Sequence, residues 1–274
     1  MLTRSQIVEL LDRHGLSPSR ALGQNFVADP NTVRRIARLA GVGPGDHVVE
    51  IGAGLGSLTL ALAEAGAAVT AVELDRHLVP VLREVVAGRG VEVIEGDAAT
   101  LDWTSILGRA DRWSLVANLP YNVATPLVLD LLDGVPAIER MLVMVQREVG
   151  ERLAASPGSG AYGIPSVKVA YHATAAVVGR VPAAVFVPKP RVESALVRIE
   201  RRAEGPATDA DPDRLFALVR AGFGHRRKML RRALAGEVDE AAFAAAGVRP
   251  EARAEELGIE DWGRLAHAAP NSRQ

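Results

Sequence analysis

The sequence contains no cysteine. This absence excludes disulfide bonds, a thiolate nucleophile and cysteine-based zinc sites, and it is typical of proteins that stay in the reducing cytoplasm. The six histidines show neither the HExxH nor the HxxxH spacing of metal ligands, so we predict no metal site. We therefore expect a cytoplasmic protein whose chemistry uses neither thiols nor a bound metal.

Long apolar runs are also missing. No run approaches the ~20 residues that a membrane-spanning helix needs. The first residues, MLTRSQIVELLDRHGL, are interrupted by charged side chains and do not resemble a secretory signal. The chain has 274 residues, of which 48% are hydrophobic and 24% charged. This composition predicts a globular protein without membrane association, with room for a domain of roughly 200 residues and a smaller companion.

Charge of one sign is not in excess, because the formal net charge is −1. The distribution of charge is nevertheless uneven. The segment LFALVRAGFGHRRKMLRRAL (215–234) contains no acid and six cations, which are Arg220, Arg226, Arg227, Lys228, Arg231 and Arg232. So dense a basic segment can bind the phosphates of a nucleic acid locally. A solvated helix face is the alternative interpretation, and we predict nucleic-acid binding by these six residues.

Short apolar runs rich in β-branched residues alternate with helical patterns. Strands are predicted at 47–51, 68–74, 91–96, 114–118, 141–146, 168–178 and 195–200, and helices at 31–40, 57–65, 76–87, 125–133 and 147–155. Continuous apolar strands separated by helices are typical of a parallel sheet covered on both faces. The pattern therefore predicts an α/β, Rossmann-like, doubly wound fold. No clear helix separates the last two strands, which predicts an antiparallel pair at the edge of the sheet.

The character of the sequence changes at about residue 203. The stretch RRAEGPATDADPDR is rich in Gly, Pro and Asp and has no apolar periodicity, so it indicates a linker or an exposed loop. The residues that follow are rich in Ala, Arg and Leu and contain no strand-like run. We predict a Rossmann-like domain over 1–203 and a small helical domain over 204–274, with a frayed tail at HAAPNSRQ.

Three glycines, Gly52, Gly54 and Gly56, lie between a predicted strand and a predicted helix in VVEIGAGLGSLT. Glycines at such a turn let a ligand approach the backbone closely, and the helix N-terminus offers free N–H groups. The spacing is GxGxG, whereas the dinucleotide fingerprint GxGxxG requires glycine where Ser57 stands. The spacing therefore favours S-adenosylmethionine over NAD as the cofactor.

Acidic residues end the next two predicted strands. Glu73, in AVELD, follows the glycine loop by about 20 residues, where a carboxylate accepts hydrogen bonds from ribose hydroxyls. Asp97, in EGDA, ends the following strand and suits the amino group of an adenine. Either acid alone is also compatible with a simple helix cap. Together with the glycine loop, three such features at successive strand ends predict a nucleoside-binding site.

The fourth strand ends in Asn118, Leu119, Pro120 and Tyr121. The Asn118 side-chain oxygen and the carbonyl of Leu119 or Pro120 can accept both hydrogens of an exocyclic amine, so that the nitrogen lone pair faces a methyl group. Tyr121 would then stack on the base. Such catalysis relies on positioning and electrostatic complementarity and needs no general base. A turn with a structural tyrosine is the alternative. A base inside a duplex is out of reach, so the target must be unpaired or flipped out.

These motifs resemble those of the KsgA/RsmA family of ribosomal RNA adenine-N6 dimethyltransferases, through nearly the whole chain. The resemblance also rests on ALGQNFVAD (21–29), VFVPKPRVESALVRI (185–199) and FGHRRKMLRRAL. It implies that Phe186 flanks the target base opposite Tyr121. It implies further cofactor-binding residues, which are Gln24, Asn25, Val27, Leu74, Ala98 and Asn118.

The activity that this resemblance implies is dimethylation of N6 of two adjacent adenosines. The target would be a hairpin loop near the 3′ end of 16S rRNA within the assembling small ribosomal subunit, with S-adenosylmethionine as the donor. Residues 1–203 would then form the methyltransferase domain and residues 204–274 the RNA-binding domain. A monomer is expected.

Three other functions account for parts of the sequence pattern. Erm-type enzymes, which modify 23S rRNA, share the Asn118–Tyr121 motif and the FxPxPxV element, but the segment RRKMLRRAL favours the small-subunit enzyme. A non-catalytic binding protein that keeps the fold as an assembly checkpoint is disfavoured by the intact Asn118–Tyr121 motif and glycine loop. An NAD-dependent enzyme is disfavoured by Ser57 and by the lack of a hydride-transfer pair.

Overall fold

The computed structural model describes residues 1–269. Residues 270–274, which include most of the predicted frayed tail, lie outside the described residues. The chain forms two compact units. The first comprises residues 1–150 and 176–201, and the second comprises residues 151–175 together with those from 202 onward. The segment 151–175 therefore packs with the second unit, whereas the sequence pattern had placed it in the first domain. The predicted division after residue 203 into two functional domains stays a prediction.

The first unit is built on a seven-stranded sheet with the order β4-β3-β2-β5-β6-β9-β7. Strands β2 to β6 run parallel, and β9 pairs antiparallel with β6. A separate two-stranded sheet pairs β1 with β8 antiparallel. The strands are β1 (Phe26–Val27), β2 (His47–Ile51), β3 (Ala68–Glu73), β4 (Glu92–Glu95), β5 (Trp113–Asn118), β6 (Ile138–Gln146), β7 (Ala173–Val181), β8 (Phe186–Val187) and β9 (Ser194–Arg201).

Successive residues of a strand point to opposite faces, so the consecutive buried residues of the central strands show that both faces of the sheet are covered. Four consecutive residues of β2 and five of β5 are buried. The helices that begin in the first unit are α1 (Arg4–Arg13), α2 (Pro30–Ala40), α3 (Ser57–Glu64), α4 (Val79–Val85), α5 (Trp103–Leu107), α6 (Ala124–Gly134) and α7 (Arg147–Leu153). A short 3-10 helix spans Ala183–Val185. The predicted Rossmann-like α/β class is confirmed.

The second unit is mainly helical and has a hydrophobic core of its own. Trp262 and Leu215 are fully buried at its centre, and Phe243 packs in the same cluster. Aspartate side chains cap two of its helices at their N-termini, as helix starts prefer. Its helices are α8 (Ile164–His172), α9 (Pro212–Gly224), α10 (Leu230–Ala233), α11 (Glu240–Ala246) and α12 (Ile259–Ala268), with a 3-10 helix at Ala254–Glu256.

One predicted strand, at 168–178, is wrong in its first half. Residues up to His172 belong to helix α8, and the strand begins only at Ala173. A short apolar run occurs both in buried helices and in buried strands, so hydrophobic periodicity could not distinguish the two structures. Strands β7 and β9 are neighbours at the edge of the sheet, as predicted, and β9 pairs antiparallel with β6 on its other side. Helices α1 and α5 and the short strands β1 and β8 were not predicted.

Over the described residues, none of the helices combines the length and apolar character needed to cross a bilayer.

Candidate active site

A cleft of about 1100 Å³, including its part open to solvent, lies at the carboxyl ends of the parallel strands. Parallel strands end at the same edge of a sheet, so residues far apart in sequence meet there. The cleft is lined by ten of the eleven residues predicted to bind the cofactor, namely Gln24, Asn25, Val27, Gly52, Gly54, Glu73, Leu74, Asp97, Ala98 and Asn118. Four of the five predicted catalytic residues, Asn118, Leu119, Pro120 and Tyr121, line it as well.

Gly54 lies in the glycine loop, in close contact with Phe26. Its φ is +58°, in the left-handed region that glycine adopts without strain, and a Cβ atom there would lie 3.0 Å from the Phe26 ring. Its N–H donates to Glu73 Oε2 over 2.6 Å. The loop is therefore joined directly to the acid that ends β3.

Gly56 does not line this cleft, although the sequence pattern assigned it to cofactor binding. It caps helix α3, and a Cβ atom there would lie 2.9 Å from Leu82 and 3.3 Å from both Val85 and Val86, at the end of helix α4. The third glycine thus allows α3 and α4 to pack closely. Its predicted role in cofactor binding stays a prediction.

Glu73 is a buried carboxylate held by two backbone donors. Besides the bond from Gly54, its Oε1 accepts the N–H of Asp75 over 2.9 Å. Burial raises the pKa of Glu73, while the N–H groups of Asp75 and Gly54 act in the opposite direction. Each oxygen accepts one backbone hydrogen bond and keeps a lone pair that is available to a hydroxyl of a ligand.

Glu50, at the penultimate residue of β2, was missed by the sequence reasoning. It lines the cleft, is only 2% exposed, and its Oε2 has no hydrogen-bond partner among the described residues. Burial raises its pKa to about 8, and the neighbouring charge of Glu73 adds to the shift. Its position two residues before Gly52, inside an otherwise apolar strand, was a signal that could have identified it.

Asn118 is oriented by the N-terminal segment of the chain. Its Nδ2 donates to the backbone carbonyl of Asn25 over 2.9 Å. The amide oxygen is thereby turned away from that carbonyl and remains an acceptor at the cleft. The Asn25 side chain in turn donates to the carbonyl of Gly23 over 3.0 Å. The predicted acceptor atom is therefore present in a fixed orientation.

The two candidate carbonyls beside Asn118 differ in their contacts. The Pro120 carbonyl accepts the N–H of Val123 over 3.2 Å, whereas the N–H of Leu119 donates to Met144 on β6 over 3.0 Å. The Leu119 peptide is thus anchored through its N–H group, and no backbone hydrogen bond to its carbonyl is found among the described residues. These contacts favour Leu119 over Pro120 as the second acceptor.

Tyr121 lies at the cleft with its hydroxyl directed at Ser194, the first residue of β9. The two oxygen atoms are 2.7 Å apart. Partial burial raises the pKa of Tyr121, so the phenol is neutral at physiological pH. The hydroxyl is hydrogen-bonded within the protein, while the tyrosine lines the cleft.

Phe186, the predicted partner of Tyr121 at the target base, is the first residue of β8. It pairs with Val27 across the β1–β8 sheet, is fully buried in a core cluster with Val33 and Val181, and does not line the cleft. The strand pairing turns its ring into the core. Its predicted contact with the target base stays a prediction.

Both polar atoms of the Gln24 side chain form hydrogen bonds within the protein. Its Oε1 accepts the N–H of Ser19 over 2.7 Å, and its Nε2 donates to Asp75 Oδ2 over 2.8 Å. These bonds tie residues 19–25 to the turn after β3, close to Glu73. Helix α1 adds a further wall through Ile7, which is fully buried and lines the cleft.

Two of the residues predicted to bind the cofactor, Asp97 and Leu74, combine an acidic and an apolar side chain. Asp97 is exposed, and its Oδ1 accepts the N–H of Ala99 over 2.9 Å, which leaves Oδ2 for a ligand. Leu74 is 50% exposed although it is a large apolar residue. An exposed leucine beside a carboxylate suits a flat heterocycle with an amino group.

The basic segment belongs to the second unit and is not one helix. Residues 225–229 connect α9 to α10. Two of its cations are paired with acids: Arg226 bonds Glu255 over 2.7 Å, and Arg231 lies 3.5 Å from Glu251. The cations for which the structure gives no acidic partner within the described residues are Arg220, Arg227, Lys228 and Arg232, all exposed.

Comparison with known proteins agrees with this geometry. A family model described as ribosomal RNA adenine dimethylase matches residues 16–269. Ribosomal RNA small subunit methyltransferase A of Kineococcus radiotolerans is 49% identical over 280 residues, 98% of this chain and 92% of its own. The protein of the same name from Streptomyces avermitilis is 49% identical over 277 residues, 97% of this chain and 93% of its own.

Two solved structures share the architecture. The 23S rRNA methyltransferase ErmE has a TM-score of 0.70 and 28% identity, covering 89% of this chain and 98% of its own. A dimethyladenosine transferase from Plasmodium falciparum has a TM-score of 0.72 at 23% identity, covering 86% of this chain and 94% of its own, and shows the fold alone. The predicted enzyme class and cofactor are confirmed, because the chain belongs to the ribosomal RNA adenine dimethylase family of S-adenosylmethionine-dependent methyltransferases.

Proposed function

We propose that this chain dimethylates N6 of two adjacent adenosines in a hairpin loop near the 3′ end of 16S rRNA. The observation that carries the chemistry is the orientation of Asn118, whose Nδ2 is bonded to Asn25 so that Oδ1 is left at the cleft. The observation that favours the small subunit is identity close to one half with relatives named for it, against 28% with ErmE.

The cleft fits S-adenosylmethionine by its chemistry. Glu73 keeps one acceptor site on each oxygen for the ribose hydroxyls, and Asp97 with Leu74 suits the adenine. Gly52 and Gly54 allow close approach to the backbone, and Asn25 and Val27 also line the cleft. When bound, the cofactor supplies a methyl group on a positively charged sulfur. The carboxylates of Glu73, which is buried, and Asp97, which is exposed, line the cleft and favour a cation in it.

The protein positions the amine of the target adenosine. Asn118 Oδ1 and the Leu119 carbonyl accept its two N–H groups, so the nitrogen lone pair is directed away from both acceptors. The Tyr121 ring stacks on the base and holds its plane. The nitrogen loses a proton only after it has gained the methyl group, so no general base is required before transfer. The gain in rate comes from orientation and from acceptors fixed in advance.

The RNA is held by phosphate contacts from the second unit. Of the six predicted cations, Arg220, Arg227, Lys228 and Arg232 support this role most, because the structure gives them no acidic partner among the described residues. Arg226 and Arg231 already neutralise Glu255 and Glu251. Phosphate contacts of this kind supply affinity rather than sequence preference.

We further propose that the enzyme acts as a monomer in the cytoplasm on the assembling small subunit. The catalytic work belongs to the methyltransferase domain (1–203) and RNA binding to the helical domain (204–274).

The decisive experiment supplies labelled S-adenosylmethionine to two substrates in parallel, unmodified small ribosomal subunits and protein-free large-subunit RNA. Mass spectrometry then identifies the modified base. Dimethyladenosine in the small-subunit RNA alone is the expected result. Label in the large-subunit RNA would instead indicate an Erm-type specificity, and label in neither, with the cofactor bound, would indicate a non-catalytic role.

A further inference from the structure

Ser194 has an unusual position for a serine. It is fully buried at the start of β9, and the three residues after it, Ala195, Leu196 and Val197, are buried and apolar. A buried hydroxyl destabilises the fold unless it forms a hydrogen bond. Its side-chain partner among the described residues is the Tyr121 hydroxyl, 2.7 Å away.

The backbone around Ser194 is fixed on both sides. Ser194 stands opposite Gln146 in the β6–β9 ladder, and the carbonyl of Glu193 accepts the N–H of Arg147 over 3.0 Å. The serine hydroxyl is therefore held at a defined point of the sheet. It does not line the cleft, so it stands behind the tyrosine and has no direct access to a ligand.

A hydrogen bond at the phenol oxygen restrains more than the position of that atom. Conjugation with the ring keeps both the O–H bond and the acceptor lone pair of a phenol close to the ring plane. The bond to Ser194 therefore limits rotation of the ring about its long axis, whichever oxygen donates. The ring is then anchored at both ends, through its Cβ atom and through its hydroxyl.

We propose that Ser194 is a positioning residue, which sets the plane of the Tyr121 ring for stacking on the target adenine. The inference rests on the proposed role of Tyr121 as the stacking partner. It also gives the late motif VFVPKPRVESALVRI a part in the site through Ser194, in the second half of the segment, whereas Phe186 is buried in the core.

The test is a double-mutant cycle of Ser194→Ala and Tyr121→Phe, with Ser114→Ala as the matched control. Ser114 is also a buried serine of the same sheet and does not line the cleft. The readouts are the single-turnover rate of methyl transfer, the cofactor dissociation constant, and the fluorescence of RNA that carries 2-aminopurine at the target position. The RNA is whichever ribosomal RNA the wild-type enzyme methylates, so a failure of the proposed substrate is recognised separately.

Each single variant is expected to slow transfer about five- to tenfold, as loss of one hydrogen bond implies. The cofactor dissociation constant should stay within about twofold, since neither hydroxyl is placed at the cofactor. The double variant should be no slower than Tyr121→Phe, because both changes remove the same contact. Both singles should also lessen the quenching of 2-aminopurine by the stacked ring, and Ser114→Ala should change none of these values.

Two results would overturn the proposal. If Ser194→Ala slows transfer by the same factor in the Tyr121→Phe background, the serine acts independently of the tyrosine hydroxyl. If Ser194→Ala leaves both the rate and the quenching unchanged, the hydrogen bond does not position the ring. Circular dichroism and thermal unfolding of each variant identify any loss of rate that comes from unfolding.

Discussion

Replacing Glu50 by glutamine is expected to change how the stability of the cofactor-free protein depends on pH. Glu50 is 2% exposed, and its Oε2 has no hydrogen-bond partner among the described residues. Burial, with Glu73 as a second cause, raises its pKa from the usual 4.5 to about 8. The native state therefore keeps a proton on this group over a pH range in which the unfolded chain has lost it.

The sign and size of the effect follow from that difference. Below pH 4.5 the group is protonated in both states and has no effect on the pH dependence of stability. As the pH rises from 4.5 to about 8, the unfolded state is favoured by its free ionisation, so the free energy of unfolding falls by about 1.4 kcal/mol per pH unit. Between about pH 5 and pH 9 the loss from Glu50 amounts to about 4 kcal/mol, after which it levels off.

The glutamine side chain of the Glu50→Gln variant cannot ionise, so the variant should lack this loss. Urea unfolding of both proteins at about half-unit steps from pH 5 to pH 9 measures the difference directly. Desolvation of the buried amide shifts the variant by a constant amount, and the expected signature is therefore the slope of the difference with pH. Glu95→Gln, which removes an exposed carboxylate on β4, is the matched control for the loss of one acidic side chain. A difference between wild type and Glu50→Gln that stays flat across this range would refute the reasoning.

The other expectations concern ligands. Asn118→Ala should abolish most methyl transfer while cofactor affinity stays within a few-fold. Asn118→Asp should lose as much activity, because a carboxylate cannot donate a hydrogen bond to the Asn25 carbonyl. Full activity of either variant in a labelled-methyl assay would contradict this expectation. Glu73→Ala should raise the cofactor dissociation constant about tenfold or more by calorimetry, as loss of charge-assisted bonds implies; an unchanged constant would make Glu73 structural. Arg227→Ala and Lys228→Ala should each lower the slope of log K against log salt for RNA binding by about 1. Arg231→Ala, which removes a cation paired with Glu251, should lower this salt slope less. An equal decrease for all three variants would show that pairing with an acid does not affect the contribution of a cation.

The parts of the site that lie at strand ends could be predicted from the sequence. Gly54, Glu73, Asp97 and Asn118 lie at or just after the ends of successive strands. Parallel pairing brings the carboxyl ends of these strands to one edge whatever the details of packing. Their assignment needed only the order of strands and helices. The same argument explains why the fold class was predictable.

Side-chain direction could not be predicted in the same way. The late motif shows that residues 185–199 matter, but only strand pairing decides that Phe186 turns into the core while Ser194 reaches Tyr121. Gly56 looked equivalent to Gly54 in the GxGxG spacing. Its separate role appears only once Leu82 of helix α4 is placed 2.9 Å from its missing Cβ atom.

Helix α1 is a different case, because a local signal was available. Thr3 and Gln6 form a capping box, the Thr-x-x-Gln pattern that marks a helix start, ahead of the apolar positions Ile7, Leu10 and Leu11. Its burial of Ile7 against the cleft was not predictable, since that contact joins residues that are distant in sequence.

The polar side chains of the cleft share one arrangement, in which part of each group binds the protein and the rest is left for a ligand. Asn118 uses its Nδ2 on Asn25 and leaves Oδ1, and Glu73 uses one lone pair of each oxygen. Tyr121 uses its hydroxyl on Ser194 and leaves its ring. A side chain fixed by one of its own atoms loses little further entropy when a ligand binds, so its acceptors are already in place when the amine arrives. This explains how a methyl transfer that relies on positioning can proceed without a general base, and why residues that never touch the substrate, such as Ser194, should still affect its rate.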